Sequence, residues 1–162
     1  MADVSQSKLY HTGMLHVQDA CVVLVRTEWN DAIVSELENG AQRVLEQHQV
    51  KNVHSIQVPG AVEIPFIIRE YWHAHCMMAS RRPHAFIALG CVIQGDTPHF
   101  DYVCRSVTDG ITQLNLHLPV PVIFGVLTVN NEQQAIERIG GIHGHKGEEA
   151  YHERTHFHSL FC

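Results

Sequence analysis

Apolar residues run unbroken from Cys21 to Val25, Cys-Val-Val-Leu-Val, the pattern of a strand buried on both faces in a parallel sheet. After Glu28-Trp29-Asn30, the residues Ile33, Leu37, Ala41, Val44 and Leu45 recur at spacings of four and three. That spacing predicts an amphipathic helix, with Asn30 suited to its N-cap. Over residues 51–58, Val53, Ser55 and Gln57 alternate with His54 and Ile56, a poorer strand closed by Pro59-Gly60. A second helix starts at Glu63 or Pro65, carries Phe66, Ile67, Tyr71 and Trp72, and fades by Ala79; residues 80–84 form a surface loop. A strand over residues 85–89 breaks at Gly90, and a third helix runs from near Asp101 or Tyr102 to Leu116. Residues 120–129 give another buried strand. Asn130 or Asn131 caps a helix with Ala135, Ile136 and Ile139, which Gly140 and Gly141 stop. A loop of glycine and histidine follows, and then a last helix from Gly147 towards Leu160. Before all of these, Leu9, Met14, Leu15 and Val17 outline a short strand weakened by Gly13.

Strands alternating with helices imply right-handed crossovers, a four-stranded parallel sheet and helices on both of its faces. The expected organisation is a segment over residues 1–18 followed by one α/β domain over residues 19–162. In such sheets ligands bind beyond the carboxyl ends of the strands. The unusual residues all follow strands: Trp29 and Asn30 the first, Pro59 to Glu63 the second, residues 90–100 the third. The third of these loops, Gly-Cys-Val-Ile-Gln-Gly-Asp-Thr-Pro-His-Phe, has the order glycine loop then helix start, which suits an anion, phosphate above all. His99 sits beside it with a side chain suited to proton transfer near neutrality. The strand-end pattern therefore predicts a site with an aromatic (Trp29), polar groups (Asn30, Glu63), an anion loop and a histidine.

Charge narrows the partners. A formal net charge of −6 argues against a nucleic-acid backbone, so an anionic substrate must be met by local cations. The five cysteines are an odd number without a CxxC pair, as expected of a reducing cytoplasm. No signal peptide and no apolar run of membrane-spanning length is visible, so no membrane partner is expected.

At these residues the chain resembles the lumazine synthases of riboflavin biosynthesis. The resemblance is carried by Trp29-Asn30, Val58-Pro59-Gly60-Ala61-Val62-Glu63-Ile64-Pro65, residues 89–103, 121–128 and 132–138, and Lys146-Gly147, in order and at compatible spacing. It implies a flavodoxin-like sheet assembled in pentamers, which stack into decamers or close into shells, with the N-terminal strand adding to a neighbouring subunit. It implies condensation of 5-amino-6-ribitylamino-2,4(1H,3H)-pyrimidinedione with 3,4-dihydroxy-2-butanone 4-phosphate to 6,7-dimethyl-8-ribityllumazine, phosphate and water. No cofactor or metal is implied, and riboflavin synthase is a candidate partner. Carried over residue by residue, Trp29 matches the aromatic that stacks on the pyrimidine, and Ala61, Val62 and Glu63 the turn holding the ring and ribityl chain. Cys91, Val92 and Ile93 match the segment whose backbone reads the pyrimidine edge. Asp96 and Thr97 match the phosphate-holding positions, His99 the proton carrier, Phe124 the pocket wall and Arg138 the phosphate cation. Glu28, Val62, Gln94 and Asp96 depart from the residues usual in the family.

Two other readings stand beside this one. The chain has fourteen histidines, and His143, His145, His152, His156 and His158 could bind a transition metal; His152 and His156 share a helical face. Glu28 and Asp96 keep open a shell-forming or flavin-binding relative with weakened catalysis.

Overall fold

In a computed structural model residues 20–150 are described, so the expected strand over residues 9–17 and most of the last helix lie outside them. The chain runs β1 (Cys21–Thr27), α1 (Asp31–Gln47), β2 (Asn52–Val58), a 3-10 turn (Ala61–Glu63), α2 (Ile64–His75), β3 (Ala85–Ile93), α3 (His99–His117), β4 (Val122–Val129) and α4 (Glu132–Ile136). The short strands β5 (Ile139–Gly141) and β6 (Gly144–His145) follow, and residues 146–150 are helical. The four long strands form one parallel sheet in the order β2-β1-β3-β4, an α/β arrangement of flavodoxin-like type.

Strand alternation divides the apolar residues between two layers. Val22 and Leu24 of β1, with Ile87 and Leu89 of β3, pack on Ile33, Val34, Leu37, Ala41 and Leu45 of α1. Val23 and Val25, with Phe86 and Ala88, pack on Ile64, Ile68 and Trp72 of α2 and Val107 and Ile111 of α3. Because β1 and β3 are covered on both faces, they read as continuous apolar runs. β2 is an outer strand covered less completely, so its pattern is broken. Asn115 pins the entry to β4: its side chain both donates to the Val122 carbonyl and accepts from the Val122 N–H, each at 2.8 Å.

Several boundaries differ from expectation. β3 does not break at Gly90 but continues to Ile93, with Gly90 opposite Val126 in the ladder. A Cβ at Gly90 would come within 3.2 Å of the Thr27 methyl, so this glycine permits close packing of neighbouring strands instead of a turn. α3 begins at His99, earlier than expected, because Pro98 has the backbone angles of a helix start. α2 ends at His75; it buries Ile64, Ile68 and Trp72 and leaves Phe66 exposed. Asn131, not Asn130, caps α4, accepting from the Gln134 N–H at 3.0 Å. α4 stops at Ile136, and Ile139 with the Gly/His loop forms the β5–β6 hairpin, its glycines Gly140 and Gly144 at positive φ.

Candidate functional site

In the order β2-β1-β3-β4 the strands are added first to one side of β1 and then to the other, which places the topological switch point between β1 and β3. From there β1's following helix turns to one side and β3's to the other, leaving a crevice at the carboxyl ends. Three loops meet at this crevice and are tied together by hydrogen bonds. The Glu28 N–H donates to the Val58 carbonyl at 2.8 Å and the Trp29 N–H to the Pro59 carbonyl at 3.3 Å, joining the loops after β1 and β2. Thr27 donates its hydroxyl to the Trp29 carbonyl at 3.2 Å, which shapes the turn that leaves the Trp29 side chain 73% exposed.

Asn30 takes φ 59° at the N-terminus of α1, a conformation that asparagine tolerates better than most residues. Its backbone carbonyl accepts from Ile33 and Val34. The side chain does not cap the helix as expected; its amide donates to the Cys91 carbonyl at 2.8 Å, bridging β1 to β3.

That bridge lies where β3 outruns β1. The last β1–β3 pair is Arg26 with Leu89, whereas β3 stays paired with β4 to Ile93 and Val129. The β1-facing edge of residues 90–93 therefore has no strand beside it. Backbone polar groups alternate between edges along a strand, so the groups of Ile93 point to the same side as those of Cys91. Gln94, facing the other way, donates to the Val129 carbonyl at 2.9 Å. The open edge is a short row of backbone donors and acceptors, suited to the edge of a planar heterocycle. The Cys91 thiol packs into the α1 layer, where burial first and the Glu132 charge second push its pKa up to about 11. It stays protonated near neutrality and is no nucleophile; what Cys91 offers the crevice is its backbone.

In the turn after β2, Ala61 is buried while Val62 and Glu63 are exposed. Glu63 accepts from the Gly60 N–H at 2.9 Å, so the carboxylate is held over the turn by a bond three residues back. Residues 94–99 form an exposed loop that ends in the first turn of α3, where Asp101 N–H reaches the Pro98 carbonyl at 3.0 Å. Asp96, Thr97 and His99 all lie on this loop or on the first residue of the helix. The backbone N–H groups ahead of Asp101 at the start of α3 have no preceding helical turn to bond, which favours an anion there.

One chain thus gathers Trp29, Asn30, Ala61, Val62, Glu63, Cys91, Val92 and Ile93 at the carboxyl ends of β1, β2 and β3, with Asp96, Thr97 and His99 on the segment that leaves β3. It does not bring Phe124 to them. Phe124 lies opposite Ala88 in the middle of the outer strand β4, 38% exposed on the α2–α3 face. It is five residues, about 16 Å along a strand, from the Val129 end. Arg138 lies beyond β4 after α4, where its Nη1 donates to the Gln134 carbonyl at 2.8 Å. A groove of about 470 Å³ between α2 and α3, lined by Phe66, Arg69, Trp72 and His73 among others, contains none of the candidate residues. Sequence reasoning missed Thr27, whose hydroxyl sets the Trp29 turn, and it missed the bridging role of Asn30; a polar residue ending an apolar strand was the available signal. Among the described residues no cluster of three metal-ligating side chains occurs, and His152, His156 and His158 lie outside them.

Residues 19–160 match the family profile of 6,7-dimethyl-8-ribityllumazine synthase. The chain is 49% identical over 129 residues to the 6,7-dimethyl-8-ribityllumazine synthase of Bdellovibrio bacteriovorus, covering 80% of this chain and 68% of the relative. It is 46% identical to the protein of that name from Parabacteroides distasonis (78% of this chain, 77% of the relative). With the one from Desulfovibrio desulfuricans it shares 43% over 140 residues, 85% of this chain and 86% of the relative.

Proposed function

The chain belongs to the 6,7-dimethyl-8-ribityllumazine synthase family, and from that premise we propose that it condenses the ribitylamino-pyrimidinedione with butanone phosphate at the β1/β3 crevice. The observation that carries the reading is that eleven of the positions selected by the family resemblance lie at the end of β3 and in the segments that follow β1, β2 and β3, with β1's loop tied to β3 by the Asn30–Cys91 bond and to β2's loop by the Trp29–Pro59 bond. The pyrimidine ring stacks on Trp29 and presents its polar edge to the open backbone of Cys91 and Ile93, with Val92 between them. Glu63 accepts from a ribityl hydroxyl. The phosphate lies at the start of α3 by Thr97, opposed by Arg138.

Joining the aromatic amine to the ketone forms an imine with loss of one water. Phosphate then leaves with its C–O bonding pair, and ring closure by the second amine onto the new carbonyl releases a second water. Each step moves a proton between nitrogen, oxygen and carbon, which is the work assigned to His99. Phosphate departure needs its charge held in place, the work of the α3 start and Arg138. The remaining advantage is positioning of the two reactants.

Phe124 and Arg138 reach such a site from a neighbouring subunit in a head-to-tail ring. The exposure of Trp29 and Phe124 supports that, as do the outer edges of β2 and β4, which no strand among the described residues covers. The ring is a pentamer in which the segment before β1 adds to a neighbour's sheet, and light scattering on the intact protein measures it. No helix among the described residues is long and apolar enough to cross a membrane, and we place the enzyme in the cytoplasm.

The test is a two-substrate assay that follows the fluorescent lumazine and inorganic phosphate together. One phosphate per lumazine is the expected result; a ring that binds flavin without turnover would favour the weakened relative. In the same assay His99→Ala should lower kcat by roughly 10²-fold or less, at or below the bottom of the range of about 10²–10⁴ that general catalysis contributes, because imine formation between an amine and a ketone proceeds without an enzyme. Binding of a non-reacting pyrimidine analogue should survive. Unchanged turnover across the pH range would remove His99 from the mechanism.

A further inference from the structure

We infer that His145 is a positioning residue for the phosphate side of the site: its uncharged ring, seated on Gly40, clamps the β5–β6 hairpin to α1 and so fixes the backbone that carries Arg138. The inference rests on the reading of Arg138 as the phosphate cation.

Both sides of the contact are built for it. Gly40 lies inside α1, where glycine weakens a helix relative to alanine. A Cβ there would fall 2.1 Å from Cε1 and 2.5 Å from Nδ1 of His145, so the imidazole occupies the space that any other side chain would take. Two residues on, a Cβ at Gly147 would lie 2.0 Å from the Leu37 carbonyl oxygen, so the backbone itself rests on α1. Arg43 completes the row by pairing with Glu148 at 2.9 Å. Leu37, Gly40 and Arg43 are three apart and share one helix face. On its other side His145 pairs with Ile139 across the hairpin, and the next residue, Lys146, donates its N–H to the Arg138 carbonyl at 2.8 Å.

Both ring nitrogens of His145 are closed to solvent and have no hydrogen-bond partner among the described residues. A second ring proton would add a charge in a place closed to solvent, where no side chain among the described residues accepts from it and its own backbone offers the one opposing hydrogen-bond contribution. Burial is accordingly the largest influence on its pKa, which lies below the usual 6.5. Of the charged groups that face it, Arg43 of α1 acts in the same direction, while Glu148 of the helical segment and Glu36 of α1 oppose. Lys146 and Glu149 are engaged with each other at 2.5 Å. A histidine whose folded pKa lies below its unfolded value favours the docked hairpin fully above about pH 6.5, and that support is lost as pH falls from there.

Steady-state kinetics on the assembled enzyme test this, with the four-carbon phosphate varied between about pH 5.5 and 8. Gly40→Ala evicts the ring while improving helix propensity. It should raise the KM for the phosphate substrate roughly 10-fold or more, with kcat and the pyrimidine KM little changed. His145→Phe keeps a flat ring that cannot be protonated. The ratio of the wild-type to the His145→Phe KM should therefore climb on acidification; ionisation of the substrate is common to both and cancels. Amide hydrogen exchange over residues 139–146 reads docking without reference to Arg138. Protection relative to the intrinsic exchange rate at each pH should fall in Gly40→Ala and, in wild type but not in His145→Phe, below about pH 6.5. Exchange that is unchanged in Gly40→Ala, or a flat KM ratio in an enzyme whose KM does respond to Arg138→Ala, overturns the clamp. Faster exchange with a KM indifferent to Arg138→Ala would instead confirm the clamp and refute the phosphate role of Arg138.

Discussion

Exchanging Arg138 for alanine is expected to raise the KM for butanone phosphate by about 10²-fold, the equivalent of one or two charge-assisted hydrogen bonds at about 1.5–3 kcal/mol each. The pyrimidine KM should change little. One guanidinium nitrogen is committed to the Gln134 carbonyl, and no other partner among the described residues competes for the remaining donors. Nothing global compensates the loss, because the chain carries a net charge of −6 and Asp96 adds a carboxylate to the anion loop. Arg138→Lys keeps the charge but not the planar fork, so its KM should fall between wild type and alanine. Inorganic phosphate should compete with the four-carbon substrate in wild type and lose that competition in Arg138→Ala. With the residue supplied by a neighbour, Arg138→Ala and Trp29→Ala refolded together and assayed at butanone phosphate far below the raised KM should exceed the activity of either alone, towards roughly a quarter of wild type for equal random mixing. A KM untouched by Arg138→Ala would remove the residue from the site.

The largest loss of stability is expected at Glu38, a carboxylate buried between α1 and the sheet. Arg26 of β1 donates to it at 3.0 Å, and the two side chains are only 15% and 11% exposed. Ser55 of β2 donates to its other oxygen at 2.5 Å. Arg26 also engages Asp31 and Ser35, and its Nε is buried without a partner among the described residues. Glu38→Ala leaves the guanidinium without its buried counter-charge and Ser55 without its acceptor, a change that costs about 3–5 kcal/mol in comparable sites. Replacing both charges, Arg26→Met with Glu38→Leu, should recover most of it, since desolvation of the pair offsets much of its attraction. Denaturant midpoints at matched protein concentration decide this. A single variant within about 1 kcal/mol of wild type would mean that water reaches the pair.

The difference between what the pattern of residues foretells and what it leaves out follows from range. Residues 21–25 could be read as a buried central strand because both faces of β1 are covered, and α1 because its apolar face is continuous. Gly90 misled because a glycine inside a strand and a glycine ending one look alike; its reason is the Thr27 methyl on a strand over sixty residues away. The β5–β6 hairpin was hidden for the same kind of reason. Gly140 and Gly141 suggest a helix stop and Gly144 a loop, whereas the strands they form are set by pairing across the turn; Gly147, read as a helix start, is a glycine because the backbone meets Leu37 of α1. Among the candidate site residues, the place of those that follow strand ends was legible, since a parallel sheet collects its strand ends at one edge. Phe124 was not legible as a site residue from its own surroundings: it sits mid-strand with no part in the crevice of its own chain, and only the family resemblance selected it.

The account stands most directly on Trp29. The chain has two tryptophans; Trp29 is 73% exposed at the crevice, and Trp72 is 9% exposed in the layer between sheet and helices. Titrating the intact enzyme with a non-reacting ribitylamino-pyrimidinedione analogue should quench tryptophan emission saturably, through stacking on Trp29. Trp29→Phe should retain weakened binding by calorimetry while its remaining Trp72 emission stays flat. Full quenching and undiminished affinity in Trp29→Phe would contradict a pyrimidine site at the β1/β3 crevice.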